Sequence, residues 1–253
     1  MGRIMAIANQ KGGVGKTTTV VNLSCSISAK GKRVLMVDID PQGNTTSGIG
    51  LDKDHMENTI YDVLLNDENI RDCIQQTEYE RLSILPANID LAGAEIELVS
   101  VERREYRLKD ALSSVRDEYD FILIDCPPSL GLLTLNALSA ADAVLVPIQC
   151  EYYALEGLTQ LMNTISLVQK GLNKELVIDG VVLTMFDGRT NLSIQVVDEV
   201  KKYFRNKVYR SVIPRNIRLG EAPSYGQPIR VYDPRSKGAE AYEDLAEEVI
   251  GRG

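Results

Sequence analysis

The sequence predicts an α/β fold, a mostly parallel twisted sheet with helices on both faces, built as a single domain over residues 1–253. Three observations lead there. Short runs of β-branched and aliphatic residues alternate from end to end with stretches of helical periodicity. The runs are apolar at consecutive positions, as strands buried on both faces are. The loops after these runs hold glycines, hydroxyls and acids, and open parallel sheets collect ligands beyond the carboxyl ends of their strands.

The elements follow in order. Ile4–Ala8 is a short buried strand that passes directly into a Gly-rich loop, and Thr17–Ala29 is a helix closed by Gly31. The strand "RVLMVD" ends at Asp38, and "DPQGNTTSG" reads as a polar loop. Thr59 caps a short helix through Leu65. "LSILPA" is a strand, Val101–Tyr119 a long charged helix, and "FILID" an apolar strand ending at Asp125. "AVLVPI", "VIDGVVLTMF" and "VYRSVIP" continue the series, separated by helices near Leu155–Lys170 and Ser193–Phe204. Ala239–Ile250 is an acidic last helix, and no repeat, linker or low-complexity segment interrupts the pattern.

Composition narrows the function classes. Hydrophobic residues make up 44% of 253, ordinary for a chain with a large core. No apolar run approaches the ~20 residues that cross a bilayer, and no basic-then-apolar leader opens the chain. Met1-Gly2 lacks the Ser or Thr that a myristoylation site needs at position 6, where Ala6 stands. Cys25, Cys73, Cys126 and Cys150 are scattered, as suits reduced thiols in a cytoplasmic protein. With His55 as the single histidine, metal chemistry points to oxygen-ligated Mg²⁺ rather than zinc. The net charge of −8 excludes a globally basic nucleic-acid binder. Phe186 to Lys237, however, carries 11 Lys and Arg against 5 Asp and Glu, a local +6 that leaves −14 elsewhere. A basic face on an acidic body is the expectation.

The motif with the most chemistry is "IANQKGGVGKTTT", Ile7 to Thr19. It ends as a phosphate-binding loop ends, in Gly15, Lys16 and Thr17, but the usual first glycine is replaced by Gln10 and a second lysine stands at Lys11. Gly12, Gly13 and Gly15 let the backbone curl so that N–H groups face phosphate oxygens. Around Val14, the stretch Gly12 to Thr18 forms the ATP-binding segment. Lys16 contacts the β- and γ-phosphates and the Thr17 hydroxyl ligates Mg²⁺. Asp125, closing "FILID", has the position of the acid that holds Mg²⁺ through its water shell. In "DIDP", Asp38 supports the metal and Asp40 orients or deprotonates the attacking water. Lys11, on the outer shoulder of the loop, is poorly placed for its own nucleotide. It fits a cation that crosses a dimer interface to the partner's phosphates, as an arginine finger does.

"KGGVGKTT", "VDIDPQGN", "FILIDCPPSLG" and "VIPRNIRLGEAPSYGQPI", in that order, resemble the ParA/Soj branch of the deviant Walker P-loop ATPases, chromosome-partitioning proteins related to MinD. The resemblance covers nearly the whole chain. It implies ATP and Mg²⁺ as cofactors, Lys11 acting across an ATP-dependent sandwich homodimer, and Pro214 and Asn216 in the segment that touches adenine. It further implies non-specific double-stranded DNA binding through positions matching Arg189 and Arg218, helped by Lys201, Lys202 and Arg205. A ParB-type centromere-binding partner that stimulates hydrolysis, a regulated replication initiator and a nucleoid-associated cytoplasmic location follow from the same resemblance.

Three rival readings are weighed against residues. A MinD-like membrane-cycling ATPase needs a basic amphipathic tail, whereas "GAEAYEDLAEEVIGRG" has five acids and one base, Arg252. A metabolic ATP-dependent ligase or iron–sulfur reductase needs a substrate or cluster motif, and none stands out. A nucleotide-dependent scaffold without turnover has no use for Asp40.

Overall fold

The computed structural model describes residues 1–151 and 156–252. One eight-stranded sheet organises the chain: β1 (Arg3–Ile7), β2 (Val34–Asp38), β3 (Gln75–Gln76), β4 (Leu82–Leu85), β5 (Phe121–Asp125), β6 (Ala143–Gln149), β7 (Val177–Phe186) and β8 (Val208–Pro214). Their spatial order is β3-β4-β2-β5-β1-β6-β7-β8. All pairs are parallel except β3 with β4.

Residues along a strand alternate between the two faces, and both faces are covered. Ile4, Ala6, Leu35 and Val37 point into one apolar cluster; Met5, Ile7, Val34 and Met36 point into the other. The second cluster is roofed by α1 (Lys16–Ala29) through Val20, Leu23 and Ile27, and by the last helix. The first is roofed by helices that supply Leu91, Leu108, Leu133, Leu161 and Val196. Full burial of such side chains stabilises by about 1.5–3 kcal/mol each.

Short helices fill the crossovers: α2 (Asn44–Gly48), α3 (Ile60–Leu65), α4 (Ile70–Cys73), α5 (Leu91–Glu97) and α6 (Arg107–Ser113). Longer ones follow in α7 (Leu132–Ala140), α8 (Glu156–Gly171) and α9 (Asn191–Phe204). After β8 come α10 (Ile217–Glu221), α11 (Ile229–Tyr232) and α12 (Lys237–Arg252). Thr59 caps α3 as expected, in a capping box with Asp62. The expected start of α8, Leu155, lies outside the described residues.

Two expectations are corrected. The long helix over Val101–Tyr119 is instead a 3₁₀ turn at Arg104–Tyr106, the short α6, and a second turn at Arg116–Glu118. Arg103 sits at φ 54 and breaks the approach. Ser113 and Ser114 then turn their hydroxyls back onto the carbonyls of Asp110 and Ala111, at 2.6 and 2.9 Å, which competes with continued helix. The charged periodicity survives in fragments because α6 offers the core only Leu108 and Leu112, both buried, and the partly buried Ala111. The second correction is the loop "DPQGNTTSG", which contains α2.

β1 is the topological switch point. It pairs with β5 on one side and β6 on the other, so crossovers leave it in both directions and open a crevice at its carboxyl end.

Candidate functional site

The crevice is filled by the loop between β1 and α1. Gly15 adopts φ 89, a left-handed conformation that side chains strain against, immediately before α1 begins. Thr184 Oγ1 donates to the Val14 carbonyl at 2.8 Å and ties the loop to β7. Asn9 holds its start: its amide donates to the Pro147 carbonyl at 2.7 Å, and its Oδ1 accepts the Lys11 N–H at 3.0 Å. Lys16 is 7% exposed and its Nζ reaches the Lys11 carbonyl at 3.4 Å. Burial lowers the Lys16 pKa, while Asp125, Cys126 and Asp40 act against that shift. A nearly buried ammonium with one long hydrogen bond is a cation poised for an anion.

Beside the loop, β2 and β5 end in register, with Asp38 opposite Asp125. Both carboxylates are fully buried. Their surroundings differ. Asp125 Oδ2 accepts the Thr17 hydroxyl at 2.7 Å and the Thr45 hydroxyl at 2.8 Å, while its Oδ1 is buried without a partner among the described residues. Asp38 is turned into the protein: Oδ2 accepts both the N–H and the hydroxyl of Thr46 at 2.8 Å, and Oδ1 accepts the Asp40 N–H at 3.2 Å. Burial, aided by the Asp125 charge, pushes the Asp38 carboxyl up to about 8. Burial raises Asp125 to about 6 against the two threonine hydroxyls. Asp40 is 8% exposed and accepts the Gln42 N–H at 3.0 Å.

These groups fit a magnesium ion. The Thr17 hydroxyl and the Asp125 carboxylate, whose Oδ1 is buried without a partner among the described residues, form a hard oxygen donor set. Among the described residues no group of three or more His, Cys, Asp or Glu gathers to hold a metal by itself, so phosphate oxygens and waters would complete the shell.

A groove of about 410 Å³ runs from the loop to the end of β8, lined among others by Gly15, Thr18, Ile213, Pro214 and Asn216. The structure thus brings together Lys11, Gly12, Gly13, Val14, Gly15, Lys16, Thr17, Thr18, Asp38, Asp40 and Asp125 at one edge, with Pro214 and Asn216 across the groove. Thr45, Thr46 and Thr184 belong to the same cluster and were not foreseen. The adjacent hydroxyls in "NTT" were the available signal, but read as loop they had no direction.

The five basic candidates are not gathered in the same way. Arg189 precedes α9 and Arg205 follows it, so roughly 20 Å of helix separates them. Arg189 and Arg218 lie at the nucleotide edge, whereas Lys201, Lys202 and Arg205 lie at the far end of α9. Arg189 pairs with Asp187 at 2.7 Å, Arg218 with Glu221 at 2.8 Å, and Lys202 with Glu199 at 2.7 Å. No helix among the described residues is long and apolar enough to cross a membrane.

Comparison with known proteins gives the site its lineage. A family model described as "AAA domain" matches residues 2–178. The sporulation initiation inhibitor protein Soj of Bacillus subtilis is 64% identical over 253 residues, covering 100% of each chain. The chromosome partitioning protein ParA of Myxococcus xanthus is 56% identical, covering 100% of this chain and 89% of that one. The chain belongs to the Soj/ParA family of chromosome-partitioning ATPases. Among solved structures, a Mycobacterium smegmatis chain described as cobyrinic acid a,c-diamide synthase, with bound ATP analogue and magnesium, superposes with TM-score 0.88. It is 42% identical and covers 99% of this chain and 95% of that one. Solved neighbours of this fold hold ADP or an ATP analogue with magnesium, consistent with ATP and Mg²⁺ as the cofactors of this Soj/ParA chain.

Proposed function

We propose that this Soj/ParA chain works as one ATPase domain over residues 1–253 that partitions DNA by an ATP-driven cycle. The observation that carries the reading is the convergence of Lys16, Thr17, Asp125 and Asp40 beside the loop after β1, where Thr17 donates to Asp125 and Lys16 feels the charges of Asp125 and Asp40, in a chain of this family. Gly12 to Thr18 wrap the phosphates, Lys16 takes the β- and γ-phosphate charge, and Pro214 and Asn216 border the base. A bound Mg²⁺ neutralises phosphate charge. Thr17 and Asp125 hold it, with Asp38 behind them, and Asp40 orients the attacking water. Phosphoryl transfer needs little beyond such positioning and neutralisation.

Lys11 acts on a second copy. Its backbone is held by Asn9 and Lys16, and among the described residues no hydrogen bond or ion pair involves its ammonium. In an ATP-bound sandwich homodimer it reaches the partner's phosphates. Dimerisation doubles the basic surface that Arg189, Arg218, Lys201, Lys202 and Arg205 present to DNA phosphates. A nucleotide state thereby becomes a DNA-affinity state without sequence readout. A ParB-type partner that speeds hydrolysis releases the DNA, and the protein cycles on and off the nucleoid.

ATP turnover measured against DNA and a ParB-type partner, separately and together, tests this reading; the expected result is synergy. Additive or absent stimulation would remove the partition cycle and leave the ATPase. Lys11→Ala is expected to abolish ATP-dependent dimerisation, seen by light scattering, while nucleotide still binds. A ligase reading is favoured only by the description of the 42% identical structure. A gel shift on random DNA separates the two, since only the partition reading expects retardation with ATP and not with ADP.

A further inference from the structure

Thr45 and Thr46 are adjacent on the five-residue α2, yet they grip carboxylates on two different strands. Successive helical residues diverge by about 100°, and Asp38 and Asp125 stand side by side in register. One short helix laid across the strand ends can therefore bracket both. Both threonines are fully buried, so neither hydroxyl can exchange its carboxylate for solvent.

The two grips differ in kind. Thr45 donates to the Asp125 oxygen that Thr17 also uses. With two hydroxyls on Oδ2, the carboxylate plane is set and the orphan Oδ1 is left as its free acceptor. Thr46 is a relay: its hydroxyl accepts the Ala87 N–H at 3.0 Å and donates to Asp38 at 2.8 Å, tying Asp38 to the end of β4. The same segment carries Asp40, whose carbonyl accepts the Gly43 N–H at 2.8 Å in the turn that starts α2. Only glycine fits at position 43, where φ is 59 and a Cβ would lie 2.8 Å from the Ala87 carbonyl.

We propose that Thr45 and Thr46 are positioning residues for phosphoryl transfer, Thr45 aiming Asp125 at the metal shell and Thr46 locking Asp38 and, through the turn, Asp40. The inference rests on the nucleotide and metal assignment given above. Groups that orient metal-holding carboxylates are worth about 10–100-fold in metal affinity or activity when removed.

The test uses the full chain with Thr45→Val, which keeps the shape and deletes the donor, and Thr45→Ser, which keeps the donor. Affinity for a fluorescent ADP analogue is measured with and without Mg²⁺. Thr45→Val is expected to lose about tenfold of the Mg²⁺-dependent gain in affinity, with metal-free affinity unchanged and Thr45→Ser close to wild type. Thr46→Val is expected to keep the Mg²⁺-dependent gain and to lower kcat by about tenfold at unchanged KM. A wild-type Mg²⁺ gain in Thr45→Val overturns the role of Thr45, and wild-type kcat in Thr46→Val overturns that of Thr46. If Thr45→Val does not fold, Thr45→Cys, with its weak donor, must show a partial loss; a full wild-type gain there overturns the proposal equally. Were the wild-type protein itself to show no Mg²⁺ gain, the metal assignment would fail first. That failure is distinct from a Mg²⁺-responsive wild type with an indifferent Thr45→Val.

Discussion

The buried cluster around the phosphate loop and the exposed basic residues use charge in opposite ways. At the nucleotide edge, Asp38 and Asp125 are fully buried at the ends of central strands, held by threonine hydroxyls, and Lys16 is almost as deeply enclosed. Among the exposed basic residues, Arg189 is 88% exposed at its side chain and Lys202 is 72% exposed, each paired with a nearby acid. Buried charges act strongly and locally because solvent screens them little. Exposed ones act weakly alone and together only as a field. The proposed triphosphate site relies on the first arrangement and the proposed DNA contacts on the second.

Substitutions sharpen this contrast, beginning with the largest effect. Lys16→Ala should lower ATP turnover by about 10³-fold, since it removes the enclosed cation on the transferred phosphate; steady-state phosphate release measures it. A residual rate near wild type would dissolve the distinction between the two regions.

Next comes the packing of the turn after α2 against the turn after α10. Gly226, at φ 62 after the turn that follows α10, would place a Cβ 2.6 Å from the Gly50 Cα, just beyond α2. Gly226→Ala should therefore destabilise by about 3 kcal/mol in urea unfolding. An unchanged midpoint would mean that the two segments are not in fixed contact.

The buried pair also predicts a pH dependence. Asp38 and Asp125 have carboxyls raised to about 8 and about 6, so between the ordinary carboxylate range and about pH 8 the folded state binds more protons than the unfolded one. Stability contributed by this pair is then full at low pH and lost as pH rises through those values. The metal-free protein should melt several degrees lower at pH 8 than at pH 5.5, and Mg²⁺ with ADP should flatten the slope. A rising or flat metal-free profile would contradict the pair's burial.

Charge reversal at an exposed basic residue should do less. Arg189→Glu is expected to weaken ATP-dependent DNA binding by about tenfold and to reduce the salt slope by roughly one, with DNA-free ATPase unchanged. Smallest of all, Lys202→Ala should leave the melting temperature where it was, because its pair with Glu199 is solvent-exposed.

Much of this was legible in the residues themselves. Continuous apolar runs such as "FILID" declared a sheet covered on both faces, because only a strand without a wet side reads that way. The glycines before Lys16 declared a tight turn, because side chains resist the left-handed backbone seen at Gly15. Asp38 and Asp125 could be marked because each closes such a strand. Three things could not be read locally. The breaks at Arg103 and Ser113 depend on where a helix finds apolar neighbours, not on its own periodicity. The grip of Thr45 and Thr46 depends on β2 and β5 being adjacent, although 80 residues separate Thr45 from Asp125. The separation of Arg189 from Arg205 depends on one helix standing between them. Sequence alone determined which chemical groups were present and how their nearest backbone bends, since those follow from side-chain sterics and polarity. Tertiary structure decided which groups share an oxygen and which stand a helix apart, since distances between remote residues are set by strand order and packing.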